Sequence, residues 1–194
     1  MGIGHDPKVS AGIGHNRGPS GDDGISWRRF AWAKARADLL PTLPIEVLRL
    51  RVKRAQDLGL PYKTYASVRA STGRDVIGFL FSNNALQLFK AGQGLPADRA
   101  AALAAVVGAD RVALIHAPLL ARFQADPIDA SFAAPSFAAP WPAMRDQICG
   151  AIRARGKPAD GYIMIGETAF ERDWAEAGKT AGFLTGSRYF GATA

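Results

Sequence analysis

Apolar residues recur at three- and four-residue steps through Ile45, Leu48, Val52, Ala55 and Leu58. This spacing predicts an amphipathic helix from Ile45 to Leu58, with Pro44 suited to its first turn. Gly59-Leu60-Pro61 breaks it. A second helix is expected over Tyr62 to Ala70, and Ser71-Thr72-Gly73 turns the chain into a third from Arg74 to about Phe81. Upstream, Ser26 suits the N-cap of a helix reaching Leu39, with Trp27 and Phe30 inward. Downstream, a short helix is expected over Asn84 to Lys90, and an alanine-rich one over Pro96 to Val107 that Gly108 stops.

The period changes at Asp110. Arg111 to His116 is a short apolar run with β-branched residues, which reads as a buried strand, and Tyr162 to Ile165 reads as a second. Between them Trp141 to Arg155 carries the stripe Met144, Ile148, Ala151 and Ile152 of a helix. Gly166 leads into a last helix from Glu167 to about Ala181. Strand, helix, strand and helix in that order predict a right-handed βαβα unit with a parallel pair. The expected fold class is α+β and mostly helical, an N-terminal multi-helix lobe with a small C-terminal βαβα unit. The expected divisions are a glycine-rich leader at 1–24, a basic helical domain at 25–108 and a small α/β domain at 109–194. In the last, residues 118–140 form a Pro/Ala-rich loop with tandem copies of one pentapeptide, Ser131 to Pro135 and Ser136 to Pro140.

The 194 residues are 48% hydrophobic and 9% aromatic, enough for a folded core. Cys149 is the sole cysteine, so neither an intramolecular disulfide nor a multi-cysteine zinc site is available. With no apolar signal segment at the start, this points to a reducing, bacterial-type cytoplasm. No apolar run is long enough to span a bilayer, so no membrane partner is expected. His5 and His15 recur in a Gly-Ile-Gly-His repeat without a ligand pattern, and neither a metal nor a cofactor is expected. The string Gly12 to Pro19 resembles short leaders of uncharacterised bacterial proteins, some of them prophage-encoded.

Charge sharpens the picture. The chain carries a net +7, and the whole excess lies in residues 25–75, which hold eleven basic and four acidic groups. A localised basic face is the footprint of a polyanion partner. Tyr62 to Asn84 also resembles bacterial helix-turn-helix DNA-binding proteins in general, with Ala66 at the small position, Gly73 ending the turn and Val76 as the anchor of the second helix. That resemblance implies a nucleic-acid-associated protein, a transcriptional regulator or a phage or mobile-element protein. Arg28, Arg29, Arg49, Lys53, Arg54, Lys63, Arg69 and Arg74 are the expected phosphate contacts, and Asn83 and Asn84 the candidates for base contact. The run Val76 to Phe81 also reads as a buried core helix capped by Ser82-Asn83-Asn84, because it offers a reading helix few polar side chains.

Two other functions compete. In parallel α/β units, sites gather at the carboxyl ends of the strands. His116 and Glu167 fall there and would form an acid/base pair for a hydrolase or transferase, and His116 with Asp173 a weak metal site. The run from Tyr162 to Phe183, YIMIGETAFERDWAEAGKTAGF, resembles the last strand and helix of haloacid-dehalogenase-type phosphatases. Those enzymes use an aspartate nucleophile within a D-x-D pair after their first strand. This chain has no D-x-D, and Ile115-His116-Ala117-Pro118 is expected at the corresponding place. The last alternative is an adaptor that holds a protein partner through Phe132 and Phe137 in the loop 131–140, or a homo-oligomer.

Overall fold

The computed structural model describes residues 43–120, 123 and 126–191. The leader repeat, the helix expected over Ser26 to Leu39, and Arg28 and Arg29 lie outside the described residues.

Among the described residues the elements in order are α1 (Ile45–Asp57), α2 (Tyr62–Thr72), β1 (Gly78–Ser82), α3 (Ala97–Ala104), β2 (Asp110–Ile115), α4 (Ala117–Leu120), β3 (Ala130–Ala133), α5 (Trp141–Ala154), β4 (Tyr162–Gly166), α6 (Ala169–Ala177), β5 (Gly182–Thr185) and α7 (Gly186–Gly191). The five strands form one sheet in the order β3-β2-β1-β4-β5. Every pairing is parallel. The protein is therefore mixed helix and sheet, with five parallel strands where two were expected.

Side chains alternate across the sheet as the pleat requires. Phe79, Phe81, Ala113, Ile115, Ile163 and Ile165 face a core built with Ala55 of α1, Leu58 just after it, Tyr65 of α2, Leu103 of α3, and Tyr189 and Phe190 of α7. Leu80, Val112, Leu114, Tyr162 and Met164 face the other way, onto Met144, Ile148 and Ile152 of α5 and Trp174 of α6. Helices on both faces of an all-parallel sheet make a doubly wound arrangement.

The largest correction concerns Arg74 to Phe81, expected to be a helix. Residues Gly78–Ser82 are instead the central strand, fully buried. Gly78 pairs with Asp110 on one side and Tyr162 on the other. A β-carbon at Gly78 would meet the Tyr162 ring and lie 2.9 Å from the Asp110 Cβ, so only glycine permits this approach. The second helix of a helix-turn-helix is thus not formed, although α2 ends where the pattern wants its turn. Gly73 caps α2 with φ 70° and donates its N–H to the Arg69 carbonyl. A division after residue 108 would part β1 from both of its neighbours. The short helix expected from Asn84 is a tight turn in which Leu86 N donates to Ser82 O at 3.0 Å and Leu88 N to Asn83 O at 2.8 Å.

Arg54 ties α1 to the entry of the sheet. Its Nε donates to Asp75 at 3.0 Å, one Nη to the Val107 carbonyl at 3.0 Å, and the other to the carbonyls of Val76 at 2.8 Å and Gly108 at 3.1 Å. The guanidinium thus satisfies three carbonyls in the segments leading into β1 and β2. Arg54→Gln is expected to lower stability by about 2 kcal/mol, read as a lower urea midpoint with an unchanged slope.

Candidate functional site

In a doubly wound sheet the carboxyl ends of the strands diverge at the point where the strand order reverses, here between β1 and β4. The residues leaving β1 are Ser82, Asn83 and Asn84, and those leaving β4 are Glu167 and Thr168.

This centre is filled by the chain's own groups. Glu171, buried in the first turn of α6, accepts from the backbone N–H groups of Glu167 at 2.6 Å and Thr168 at 2.9 Å, and its other oxygen accepts from the Asn84 side-chain amide at 3.0 Å. Thr168 Oγ1 in turn accepts from the Glu171 N–H, which completes a capping box. An α/β fold binds anions at such a helix N-terminus, and here an internal carboxylate holds the position. Glu167 reaches the other way and accepts from the Ser187 N–H at 2.9 Å at the start of α7. Gly186 is wedged beside it, where an added β-carbon would lie 2.5 Å from the Glu167 carboxylate and 3.0 Å from the Ala85 Cβ.

Ser82 is buried and its Oγ accepts from the Ala85 N–H at 3.1 Å. Asn83 is 5% exposed and donates to the Leu88 carbonyl at 3.3 Å. The two asparagines expected to touch bases therefore shape the turn above β1. His116 and Glu167 were expected to pair, but among the described residues no bond joins them. His116 follows β2 and its ring stacks on Phe137, 4.8 Å between centroids, while Glu167 belongs to the α7 side. Among the described residues no three His, Cys, Asp or Glu side chains converge as metal ligands do.

The phosphatase-like stretch gains a different alignment from the fold. Among the described residues the first strand is β1, and Ser82-Asn83-Asn84 at its end holds no D-x-D pair. No nucleophilic aspartate is available at this strand end.

Of the expected phosphate contacts, Arg49, Lys53, Arg54, Lys63 and Arg69 lie elsewhere, on α1 and α2. Arg51, Arg54, Tyr65 and Arg69 line one groove between these helices, with Val47 and Leu50 at its edge. Asp75 sits behind it. It accepts from Tyr65 OH at 2.7 Å and pairs with Arg54 at 3.0 Å and Arg69 at 3.6 Å. Burial, and then the hydrogen bond to Asp75, push the Tyr65 hydroxyl above its ordinary pKa, so it remains a donor. Lys53 and Lys63 are exposed on the same two helices. Arg49 is bound to Glu46 at 3.0 Å, and Arg74 to Asp160 at 2.8 Å at the foot of β4. The structure thus joins Arg54 and Arg69, sets Arg74 apart, and adds Arg51 and Tyr65. Tyr65 gave no sequence signal beyond its place three residues into a helix. No family model matches the chain, and neither a curated protein nor a solved structure does. Among the described residues no helix is long and apolar enough to cross a membrane.

Proposed function

We propose that this is a non-catalytic, nucleic-acid-associated protein whose phosphate contacts lie in the groove between α1 and α2. The observation that carries the reading is the groove lined by Arg51 and Arg69, where Arg54, its donors spent on Asp75 and three carbonyls, adds a further positive charge beside the one carboxylate of Asp75. Arginine forks match phosphate oxygens in pairs. Lys53 and Lys63 extend the positive surface along the two helices. Contacts of this kind position a polyanion without reading its bases. The self-filled strand-end centre supports the non-catalytic half of the reading.

The test is binding of duplex and single-stranded DNA and RNA across a salt series, wild type beside Arg51→Gln/Arg69→Gln. Arg54 is left intact because it holds the fold. The double variant is expected to bind about tenfold or more weakly, and the slope of log affinity against log salt should fall by roughly two, one per phosphate contact. Equal affinity and equal slope for both proteins would reject the groove as the contact surface.

A further inference from the structure

Three rings stand in a stack at the carboxyl end of the sheet. His116 and Phe137 are 4.8 Å apart with planes at 25°, and Phe137 and Phe170 are 5.2 Å apart with planes at 29°. Phe137 is the middle ring. The outer two are fixed by the scaffold, His116 directly after β2 and Phe170 in the first turn of α6. Phe137 comes from the loop between β3 and α5. Its neighbourhood is held by short-range bonds, Ala138 N to Ser136 Oγ at 3.4 Å and Ala139 N to Ser136 O at 2.9 Å. It is 72% exposed, so most of its ring gains nothing from burial. The matching residue of the first pentapeptide copy, Phe132, is set into β3 and packs on the core.

Beneath the stack lies Trp174, fully buried and edge-on to both walls, 6.1 Å from His116 and 5.6 Å from Phe170. Its indole N–H has no hydrogen-bond partner among the described residues. A buried donor without an acceptor is costly, and a phenyl ring has no lone pair to offer it. We infer that the slot between His116 and Phe170 is a binding site for a nucleobase, and that Phe137 fills it here as an internal stand-in. His116 and Phe170 each stack on the Phe137 ring, and aromatic rings placed this way stack any base. A base also brings ring-edge nitrogens and carbonyl oxygens for the Trp174 N–H, which the side chain of Phe lacks. The site lies on the α5 and α6 face of the sheet and is independent of the arginine groove on the α1 and α2 face.

Calorimetric titration with adenosine, and with ribose as control, tests it. Phe137→Ala opens the slot, and because that ring is largely exposed the variant should fold as the wild type does. It is expected to bind adenosine at least about tenfold tighter than the wild type, whereas ribose binds neither. Adding Phe170→Ala to the opened variant should abolish the gain. In the wild type, saturating adenosine should shift the indole N–H resonance of Trp174, identified by its loss in Trp174→Phe. That readout does not depend on how the Phe137 variant folds. A folded Phe137→Ala that binds adenosine no better than the wild type overturns the site. So does a gain that survives loss of Phe170, or a Trp174 resonance that adenosine leaves in place.

Discussion

Asp110→Asn is expected to lower stability by about 3 kcal/mol, the cost of stranding a cation whose buried partner has gone. Asp110 is 5% exposed and sits at the foot of β2. It accepts two hydrogen bonds from Arg155, each 2.8 Å, and one from Tyr162 OH at 2.6 Å, with Lys157 at 3.7 Å. The pair links the end of α5 to the two strands that flank β1. The Arg155 hydrogen bonds, and after them the Tyr162 hydroxyl, outweigh burial and hold the carboxyl down at about 2. The sign follows from that depression. The stabilisation is complete above the unfolded-state pKa of about 4 and is lost as pH falls through about 2, a loss of roughly 2 kcal/mol. The gap between wild type and Asp110→Asn, measured by urea unfolding, should therefore be constant from neutral pH to about pH 5 and narrow below about pH 4. A gap that is unchanged at pH 2.5 would mean that the ionised carboxyl is not what the variant removes.

Glu171→Ala should be nearly as damaging, again about 3 kcal/mol, for a different reason. Removing this buried carboxylate takes the acceptor from three part-buried donors, the N–H groups of Glu167 and Thr168 and the Asn84 amide. It also takes away half of the capping box that starts α6. Glu171→Gln keeps the shape and one acceptor oxygen, so it should cost about half as much. Urea midpoints in the order wild type, Gln, Ala are the expected outcome. Equal midpoints for Gln and Ala would mean that the charge matters and the hydrogen-bond count does not.

Both effects turn on residues that the chain's pattern did not single out, and the reason is the central strand. Val76 to Phe81 is an unbroken apolar run, and periodicity alone does not separate a strand buried on both faces from a buried helix. Its length, the β-branched Val76 and Ile77, and the Asn83-Asn84 turn that follows all favour a strand. Gly78 favours one too, once Tyr162 is known to cross beside it. With β1 read as a helix, the strand-end centre was displaced by one strand, from Asn84 and Glu171 to His116. The edge strands were hidden for another reason. Ala130 to Ala133 has little intrinsic strand preference, and it extends because Val112 to Ile115 offers it a partner. The same pentapeptide five residues later has no such partner and forms the exposed turn that bears Phe137. By contrast α1, α2, α3, α5, α6, β2 and β4 were legible, since each carries its period or its stop signal locally. Gly73, Gly108 and Gly156 all adopt positive φ at the breaks they mark. The arginine groove was half legible. The charges were visible in the sequence, but their pairing with Asp75 depends on the path between α2 and β1.

The strand order also sets a schedule for synthesis. β1, β2 and β3 leave the ribosome before α5, β4 and α6 do. Until then Leu80, Val112 and Leu114 lack most of their cover, since their partners Met144, Ile148 and Trp174 come later in the chain. A nascent chain that has emerged as far as about residue 140 therefore shows a greasy sheet face with an open edge on the β4 side. Such a face is what holdase chaperones bind and what neighbouring nascent chains on a polysome would join.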